Sequence, residues 1–443
     1  MNVVLVSTYD LGHQPFGIAS PAAWLKADGH QVVCIDLSVR TLPSLAIREA
    51  DMVAFWLPMH TATRLAVQAI QRVRLLNPAV ALCCYGLYAP MNAEYLRAFG
   101  VKTILGGEFE QGLLDLANGS ESQSEVTSHI SLEKLQFLPP DRTGLPVLSQ
   151  YSKLRVNGVV KRVGYTEASR GCKHLCRHCP VVPVYNGVFR VVQADVVLED
   201  IRRQVGAGAE HITFGDPDFF NGPTHARRIV EAMHAEFPDI TYDATIKIEH
   251  LLDRRDLLPV LRDTGCLFVI SAVESVEDTV LLKLDKGHTR EGFIEVVRAF
   301  REAGMTLVPT FIPFTPWTTR RGYCELLRLI SDLDLVENVS PIQLALRLLI
   351  PAGSRLLELD EIREIVSDFD QAGLMHRWKH VEPATDELAA RVLRLVNGEN
   401  RLRTPRREVF RKIWELANEA PIYEDFDLMP RATIPYMDEP WYC

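Results

Sequence analysis

No apolar run in the sequence reaches the roughly 18–20 residues that a membrane-spanning helix requires, so no membrane segment is predicted. The first residues, MNVVLVSTYD, lack the basic region and small-residue cleavage site of a secretory signal. Positive charge is also scarce. The formal net charge is −9, and the basic stretch 401–412 is interpreted as a solvated helix face. These absences argue against a membrane protein and against a nucleic-acid-binding protein.

The cysteine content excludes a further class of protein. Nine cysteines are an odd number in a chain of 443 residues without an export signal, so a disulfide framework is not expected. A cytoplasmic location is predicted for the same reason, because thiols stay reduced there. Cys83 and Cys84 lie within an apolar run and are interpreted as buried structural thiols. Three of the other cysteines lie close together, as metal ligands do.

The first 117 residues alternate short apolar runs with amphipathic stretches. The apolar runs are Val3–Val6, Val32–Ile35, Met52–Leu57, Val80–Tyr85 and the segment VKTILGG. Continuous apolar runs are typical of strands covered on both faces, and strand–helix alternation favours a parallel sheet. Residues 1–117 are therefore predicted to form a doubly wound, Rossmann-like parallel sheet, and residues 118–159 are predicted to be a linker.

A second alternation begins near Val163, so the whole chain is predicted to be an α/β protein. Its six strand candidates are VGYTEA, HITFGD, ITYDATIK, CLFVISAVE, LVPTFIPF and PIQLALRLLI. Six β/α units predict a partial (β/α)6 barrel over residues 160–354, with the active site at the carboxyl ends of the strands. Residues 355–443 are predicted to be a mostly helical extension with an aperiodic tail.

The chemistry is concentrated in EASRGCKHLCRHCP, residues 167–180, which follows the first of these strands. Cys172, Cys176 and Cys179 have the spacing C-x3-C-x2-C, which lets one loop surround a single metal centre. Thiolates are the ligands of iron–sulfur clusters, and three of them leave one iron with open coordination sites. The alternative is a structural zinc site with His174 or His178 as the fourth ligand.

At these residues the chain resembles the radical S-adenosylmethionine (SAM) superfamily, whose signature is a C-x3-C-x2-C loop after the first barrel strand. Ser169-Arg170-Gly171 matches its common SRGC form, and the resemblance covers roughly residues 160–355. It implies an enzyme in which the three cysteines hold a [4Fe–4S] cluster that binds and reductively cleaves SAM. It also implies an electron donor such as flavodoxin or ferredoxin.

The same resemblance implies positions for SAM at the strand ends. Gly215 and Asp216 end the second strand, and Glu274 and Ser275 end the fourth, where the family contacts SAM. Arg347 is a candidate partner for the SAM carboxylate, as is Lys247, with a structural ion pair as the alternative for each. Asp218 is a candidate near the substrate.

The domain order resembles the cobalamin-binding subfamily, in which a doubly wound domain precedes the barrel. The subfamily motif D-x-H-x-x-G supplies a histidine to cobalt, but here Asp10, His13 and Gly17 give D-x-x-H-x-x-x-G. The mismatch argues against cobalt ligation and leaves cobalamin as an open alternative. His13 is then expected to contact the active site or the domain interface.

A narrower resemblance runs nearly the whole length of the chain. STYDLGHQPFGIASPAAWLKADGHQV, CCYGLYAPMNAEYL, TFIPFTPWTT and EPWYC are similar to the radical SAM proteins named for a CUAEP or CCAEP tail. One branch of that group transfers a 3-amino-3-carboxypropyl group from SAM to trivalent arsenic in the biosynthesis of the natural product arsinothricin. The resemblance implies a small-molecule substrate such as arsenite, with Cys443 as a soft ligand. Cobalamin-dependent methylation and a zinc-stabilised binding module are the alternatives.

Overall fold

In the computed structural model, which describes residues 1–119, 127–418 and 436–437, the amino-terminal apolar runs form one parallel sheet. Its strands are β1 (Asn2–Ser7), β2 (Gln31–Asp36), β3 (Met52–Trp56), β4 (Ala81–Tyr85), β5 (Thr103–Gly107) and β6 (Thr127–Ser131). Their spatial order is β2-β1-β3-β4-β5-β6, so the order reverses between β1 and β3. The doubly wound sheet is confirmed. Two strands lie within the predicted linker 118–159: β6, and β7 (Lys153–Val156) of the second sheet.

Helices cover both faces of this sheet because successive side chains of each strand point to opposite sides. Val3 and Leu5 of β1 pack in one buried cluster with the first and last helices of this region, whereas Val4 and Val6 pack on the opposite face. The helices are α1 (Phe16–Ala27), α2 (Ser44–Arg48), α3 (His60–Leu76), α4 (Tyr88–Met91), α5 (Ala93–Arg97) and α6 (Glu110–Ala117).

The second sheet is a curled, mostly parallel sheet that forms the partial barrel. The strands of this region are β7 (Lys153–Val156), β8 (Val159–Thr166), β9 (Ser169–Gly171), β10 (Phe189–Val191), β11 (His211–Phe214), β12 (Thr241–Thr245), β13 (Cys266–Glu274) and β14 (Thr306–Phe311). Of these, β9 and β10 form a separate antiparallel pair beside the sheet. The five strands β8 and β11–β14 are parallel, whereas β7 forms an antiparallel hairpin with β8. The predicted barrel architecture is therefore confirmed.

The sixth predicted strand differs from the prediction. Residues Pro341–Leu344 form a 3-10 helix, and one parallel bridge between Phe314 and Arg347 takes the place of a regular strand. The edge of β14 is satisfied by a side chain instead, because the Gln343 amide oxygen accepts a hydrogen bond from the backbone N–H of Phe311 at 3.2 Å.

Further helices follow the cysteine loop, alternate with the barrel strands and extend the chain beyond them. They are α7 (Val182–Tyr185), α8 (Ala194–Gly206), α9 (Pro223–Glu236), α10 (Ile248–Asp253), α11 (Leu258–Asp263), α12 (Asp278–Leu284), α13 (Arg290–Glu302), α14 (Arg320–Asp332), α15 (Asp360–Arg363), α16 (Pro383–Leu402) and α17 (Arg406–Asn418). Further 3-10 turns are Leu148–Gln150, Phe219–Asn221, Arg255–Leu257 and Arg355–Glu358. Over the described residues, no helix is long and apolar enough to cross a bilayer.

The carboxy-terminal extension is mostly helical, as predicted, but it also contains strands. β15 (Val366–Asp370) and β16 (Met375–Trp378) form an antiparallel hairpin. β17 (Tyr436–Met437) pairs antiparallel with β7 and thereby adds an edge strand to the barrel sheet.

Candidate active site

The cysteine loop leaves the end of β9 and lies at the carboxyl edge of the barrel strands. Cys176 is buried, Cys172 and Cys179 are half-buried, and all three are free thiols. Burial, together with the neighbouring Cys176 and Cys172, raises the pKa of the Cys179 thiol to about 12. Such thiols become thiolates when a metal coordinates them. The donor set therefore fits the three-cysteine iron–sulfur centre that the sequence predicts.

The zinc alternative requires His174 or His178 as a fourth ligand. The ring of His174 instead lies 3.0 Å from Lys247 Nζ and 3.0 Å from the ring of His250. His178 Nε2 lies 3.0 Å from a carboxylate oxygen of Glu274. Both imidazoles thus have partners other than the cysteines.

Asp216 holds the segment that leads into the cysteine loop. Its carboxylate accepts hydrogen bonds from the Ala168 N–H at 2.9 Å and from the Ser169 hydroxyl at 2.5 Å. Burial raises its pKa to about 7, although these hydrogen bonds oppose the shift. Asp216, predicted as a SAM contact, is thus a positioning residue in this structure, and direct contact with SAM stays a prediction.

Asn221 is a functional neighbour that the sequence did not reveal. Its amide accepts from the Lys173 N–H at 3.1 Å and donates to the Gly171 carbonyl at 3.2 Å, so it joins both sides of Cys172. The only sequence signal was its place three residues after Asp218, beyond the end of the second predicted barrel strand.

Glu274 lies at the end of β13 in a left-handed backbone conformation, with φ of 69°. This region is unusual for a residue other than glycine and is found at functional sites. Burial alone would raise the pKa of Glu274, but the Lys286 ammonium and the His178 hydrogen bond lower it to about 2. Glu274 is therefore an anion that links the cysteine loop to Lys286. The Ser275 hydroxyl accepts from the Glu277 N–H at 3.1 Å and shapes the turn into α12.

Asp218 belongs to a buried polar chain beside the cysteine loop. His250 Nδ1 lies 2.7 Å from Asp218, and the two imidazoles of His174 and His250 are in contact. Potential ligand atoms of these three residues lie within 4.8 Å of one another, which is a separation that a metal site allows. However, Lys247 donates to His174 Nδ1, which leaves the proton of a neutral ring on Nε2, facing His250. His174 thus has hydrogen-bond partners on both ring nitrogens, whereas His250 Nδ1 and Asp218 Oδ2 face each other as buried atoms without a recorded hydrogen bond.

Two other predicted site residues have partners elsewhere. Arg347 donates to Asp386 at 2.6 Å and its guanidinium lies 3.5 Å from the ring centre of Trp378, so its contacts are those of the structural ion pair. His13 is buried with its ring centre 4.8 Å from that of Tyr165, and burial lowers its pKa to about 4. It therefore lies at the domain interface, one of the two places expected. Cys443 lies outside the described residues.

The remaining buried cysteines are structural, as interpreted for Cys83 and Cys84. These two are fully buried on β4 and point into opposite hydrophobic clusters of the amino-terminal sheet. Cys34 and Cys266 are also buried in apolar clusters.

A cavity of about 180 Å³ lies between the amino-terminal sheet and the barrel. Gly171 of the cysteine loop and Gly215 at the end of β11 line it from the barrel side. A Cβ atom at Gly215 would lie 1.8 Å from the Tyr165 hydroxyl, so this position requires glycine. Trp56 and Phe109 form part of the opposite wall. The cavity thus adjoins both the cysteine loop and the predicted SAM strand end.

The cavity by itself is too small for a cobalamin in this structure. The cavity of about 180 Å³ is smaller than the roughly 300–1,000 Å³ that drug-sized ligands occupy, and a cobalamin is larger than those. The indole of Trp56 fills the sheet edge, because Cβ atoms at Gly17 and Gly86 would lie 2.1 and 2.6 Å from it. His13 packs on Tyr165 and does not line the cavity.

Comparisons with known proteins agree with this architecture. Hopanoid C-3 methylase of Methylococcus capsulatus is 24% identical over 325 residues, which are 70% of this chain and 62% of that protein. The chain thus spans less than two thirds of this relative. The cobalamin-dependent S-adenosylmethionine radical enzyme OxsB with aqua-cobalamin bound is 15% identical, with a TM-score of 0.69 over 90% of this chain and 67% of OxsB.

The radical SAM methyltransferase TsrM of Kitasatospora setae, with cobalamin and a [4Fe–4S] cluster bound, is 17% identical, with a TM-score of 0.57 over 75% of this chain and 70% of TsrM. At these identities the likeness establishes the fold. The model of the radical SAM superfamily matches residues 166–330, which contain the cysteine loop and the parallel strands β11–β14. The prediction of a radical SAM enzyme is confirmed at this level: the chain carries a radical SAM superfamily domain.

Proposed function

We propose that this chain is a transferase that cleaves SAM reductively and moves a SAM-derived group onto a compact acceptor. The observation that carries the proposal is the position of the cavity, which both Gly171 and Gly215 line. A group released beside the cysteine loop would therefore meet an acceptor held in this cavity. Holding the acceptor next to the reactive group favours transfer over side reactions.

The residues around the loop have distinct tasks in this proposal. Cys172, Cys176 and Cys179 would hold the cluster, which together with SAM supplies the electron and the breakable carbon–sulfur bond. Asp216 orients the segment before the loop through its two hydrogen bonds. Glu274 provides a buried anion beside the loop. We propose a flavodoxin or ferredoxin as the physiological electron donor.

In its most specific form, the proposal is transfer of a 3-amino-3-carboxypropyl group to trivalent arsenic. Support comes from the resemblance of the sequence to the CUAEP/CCAEP-tail proteins and from the soft ligand that Cys443 would provide. Met437 pairs with Leu154 at the edge of the barrel sheet, and Cys443 follows it by six residues.

Mass spectrometry of the SAM-derived products tests this proposal. The anaerobically reconstituted protein is reduced and incubated with SAM, with and without arsenite. We expect 5′-methylthioadenosine, together with a new arsenic-bearing amino acid when arsenite is present. Release of 5′-deoxyadenosine without an arsenic product would reject aminocarboxypropyl transfer while leaving radical SAM chemistry intact.

A second candidate is cobalamin-dependent methyl transfer, which is favoured by the likeness of the fold to OxsB and TsrM. It requires that the cavity widen, because Trp56 fills the edge of the amino-terminal sheet. Cobalamin retained by the purified protein and S-adenosylhomocysteine among the products would support this candidate over the first.

A further inference from the structure

The cavity between the two sheets lies where an open α/β sheet is expected to bind a ligand. Residues that follow β1 and β3 line it, and the strand order reverses between these two strands. Ligands of doubly wound sheets bind at this reversal point, outside the carboxyl ends of the strands. The volume of about 180 Å³ suits a compact molecule.

The charges around the cavity restrict the occupant further. Asp10 lines it from the amino-terminal domain and Glu167 from the barrel. Among the described residues of the lining, Arg170 is the cation, and three carboxylates already hold its guanidinium. These belong to Glu108, Glu110 and Glu167. A ligand in the cavity therefore meets carboxyl oxygens in excess of available positive charge.

Asp10 is buried and lies near other carboxyl groups. Burial raises its pKa to about 8, the negative charges of Glu167 and Asp36 add to the shift, and a hydrogen bond with Trp56 opposes it. Keeping Asp10 ionised near neutral pH is thus unfavourable in the protein alone. A ligand that donates hydrogen bonds or carries positive charge relieves this cost.

We infer that this cavity binds a compact acceptor that presents hydrogen-bond donors or a positive charge to Asp10 and Glu167, and that it rejects anions. Arsenous acid, which is neutral and carries three hydroxyl donors, and a small protonated amine share this chemistry. Phosphite does not. The assignment of the bound molecule as the acceptor rests on the proposed transferase function, whereas the selectivity of the cavity is measured by binding alone.

Equilibrium dialysis of the cluster-reconstituted protein with SAM tests the selectivity, with arsenite, methylammonium and phosphite as separate probes. We expect the wild type to retain arsenite or methylammonium but not phosphite, and the probe that is retained identifies the source of the donors. Asp10→Asn should raise the dissociation constant of the retained probe by about tenfold or more, because a hydrogen bond to a charged group is lost. The matched control is Asp195→Asn, at an exposed position of α8.

Glu167→Gln is the second variant. It is used beside Asp10→Asn and not in its place, because Glu167 also accepts a hydrogen bond from Arg170, and its replacement affects the cysteine loop as well. Retention of phosphite in this cavity, failure of the wild type to retain either donor probe, or unchanged retention by both variants would overturn the inference. Because arsenite also binds thiols, anomalous scattering from arsenic in soaked crystals locates it. Arsenic between Asp10 and Glu167 supports the inference, and arsenic at cysteines alone rejects it.

The failure of the proposed function is a separate result. If the reduced wild type releases no SAM-derived product, the transferase proposal fails, whatever the binding measurements show. If it releases product but the acceptor KM is the same in the wild type and both variants, the inference fails and the transferase proposal stands.

Discussion

Arg170 donates a hydrogen bond across the domain boundary to Glu108, with 3.3 Å between Nη1 and the carboxylate oxygen. The other oxygen of Glu108 accepts from the Tyr185 hydroxyl at 3.2 Å. Arg170 precedes Cys172 by two residues, and Tyr185 follows Cys179 by six. One carboxylate of the amino-terminal domain thus fixes the chain on both sides of the cysteine loop.

Glu108→Gln tests whether this contact positions the cluster. We expect the free energy of unfolding to fall by about 1–3 kcal/mol, because a buried acceptor of two hydrogen bonds is altered, and the electron paramagnetic resonance signal of the reduced cluster to shift. Glu210→Gln is the control, since Glu210 pairs with Arg162 at the surface and such pairs contribute about 1 kcal/mol or less. An unchanged cluster signal in Glu108→Gln would limit Glu108 to a structural role.

Replacement of any one of Cys172, Cys176 or Cys179 by Ala should abolish both the iron–sulfur absorbance and SAM cleavage, because two thiolates cannot hold the cluster. Cys324→Ala is the matched control, since Cys324 is a half-buried free thiol that donates to the Ala417 carbonyl. Iron content, visible absorbance and SAM products are measured on all four variants. Retained cleavage in the three loop variants would reject the ligand assignment.

Two Gly→Ala substitutions should have opposite effects on stability. Gly171 has φ of 72°, and a Cβ atom there would lie 2.4 Å from the Tyr185 ring, so Gly171→Ala should destabilise the protein and displace the loop. Gly206 ends α8, and nothing lies within 4 Å of a Cβ atom there. Gly206→Ala should therefore stabilise the protein by about 0.5–1 kcal/mol. Urea unfolding of both variants measures the difference, and equal effects would contradict the steric argument.

Glu274 should make stability depend on pH at the acid end. Burial would raise its pKa, but Lys286 and His178 lower it to about 2, whereas an unfolded chain has a value of about 4.3. Its contribution is therefore complete above the unfolded-state value and is lost as the pH falls from about 4 towards 2. Glu274→Gln should lower the free energy of unfolding by about 3 kcal/mol at neutral pH. It should also make that free energy less dependent on pH between about 4 and 2. The exposed Glu231→Gln is the control.

Asp10 should give stability a pH dependence opposite to that of Glu274. Because burial raises its pKa to about 8, the folded state keeps a proton that the unfolded chain releases near pH 4. Stability should therefore fall as the pH rises from about 4 to 8. Asp10→Asn removes this penalty and should be more stable than the wild type at pH 8 by more than about 1 kcal/mol, with no difference at pH 4. Equal stability at both pH values would contradict the argument.

Much of the fold was predictable because its signals are local. The apolar runs that became β1–β5 are continuous, and such runs report burial on both faces of a parallel sheet. The sixth barrel strand was predicted wrongly as a regular strand, because apolar residues of a strand and of a buried turn look alike. The Gln343 side chain, which satisfies the edge of β14, is visible only in the tertiary structure.

The sequence by itself determined the cysteine loop, since Cys172, Cys176 and Cys179 lie within eight residues and their spacing is a property of the local chain. Only the tertiary structure decided the surroundings of that loop. Glu108 lies 62 positions before Arg170 in the chain, and Asp10 lies still farther from Glu167, so no short-range pattern could join them. Their contacts arise because the two sheets bring their carboxyl edges together, and that arrangement sets the charge and size of the cavity.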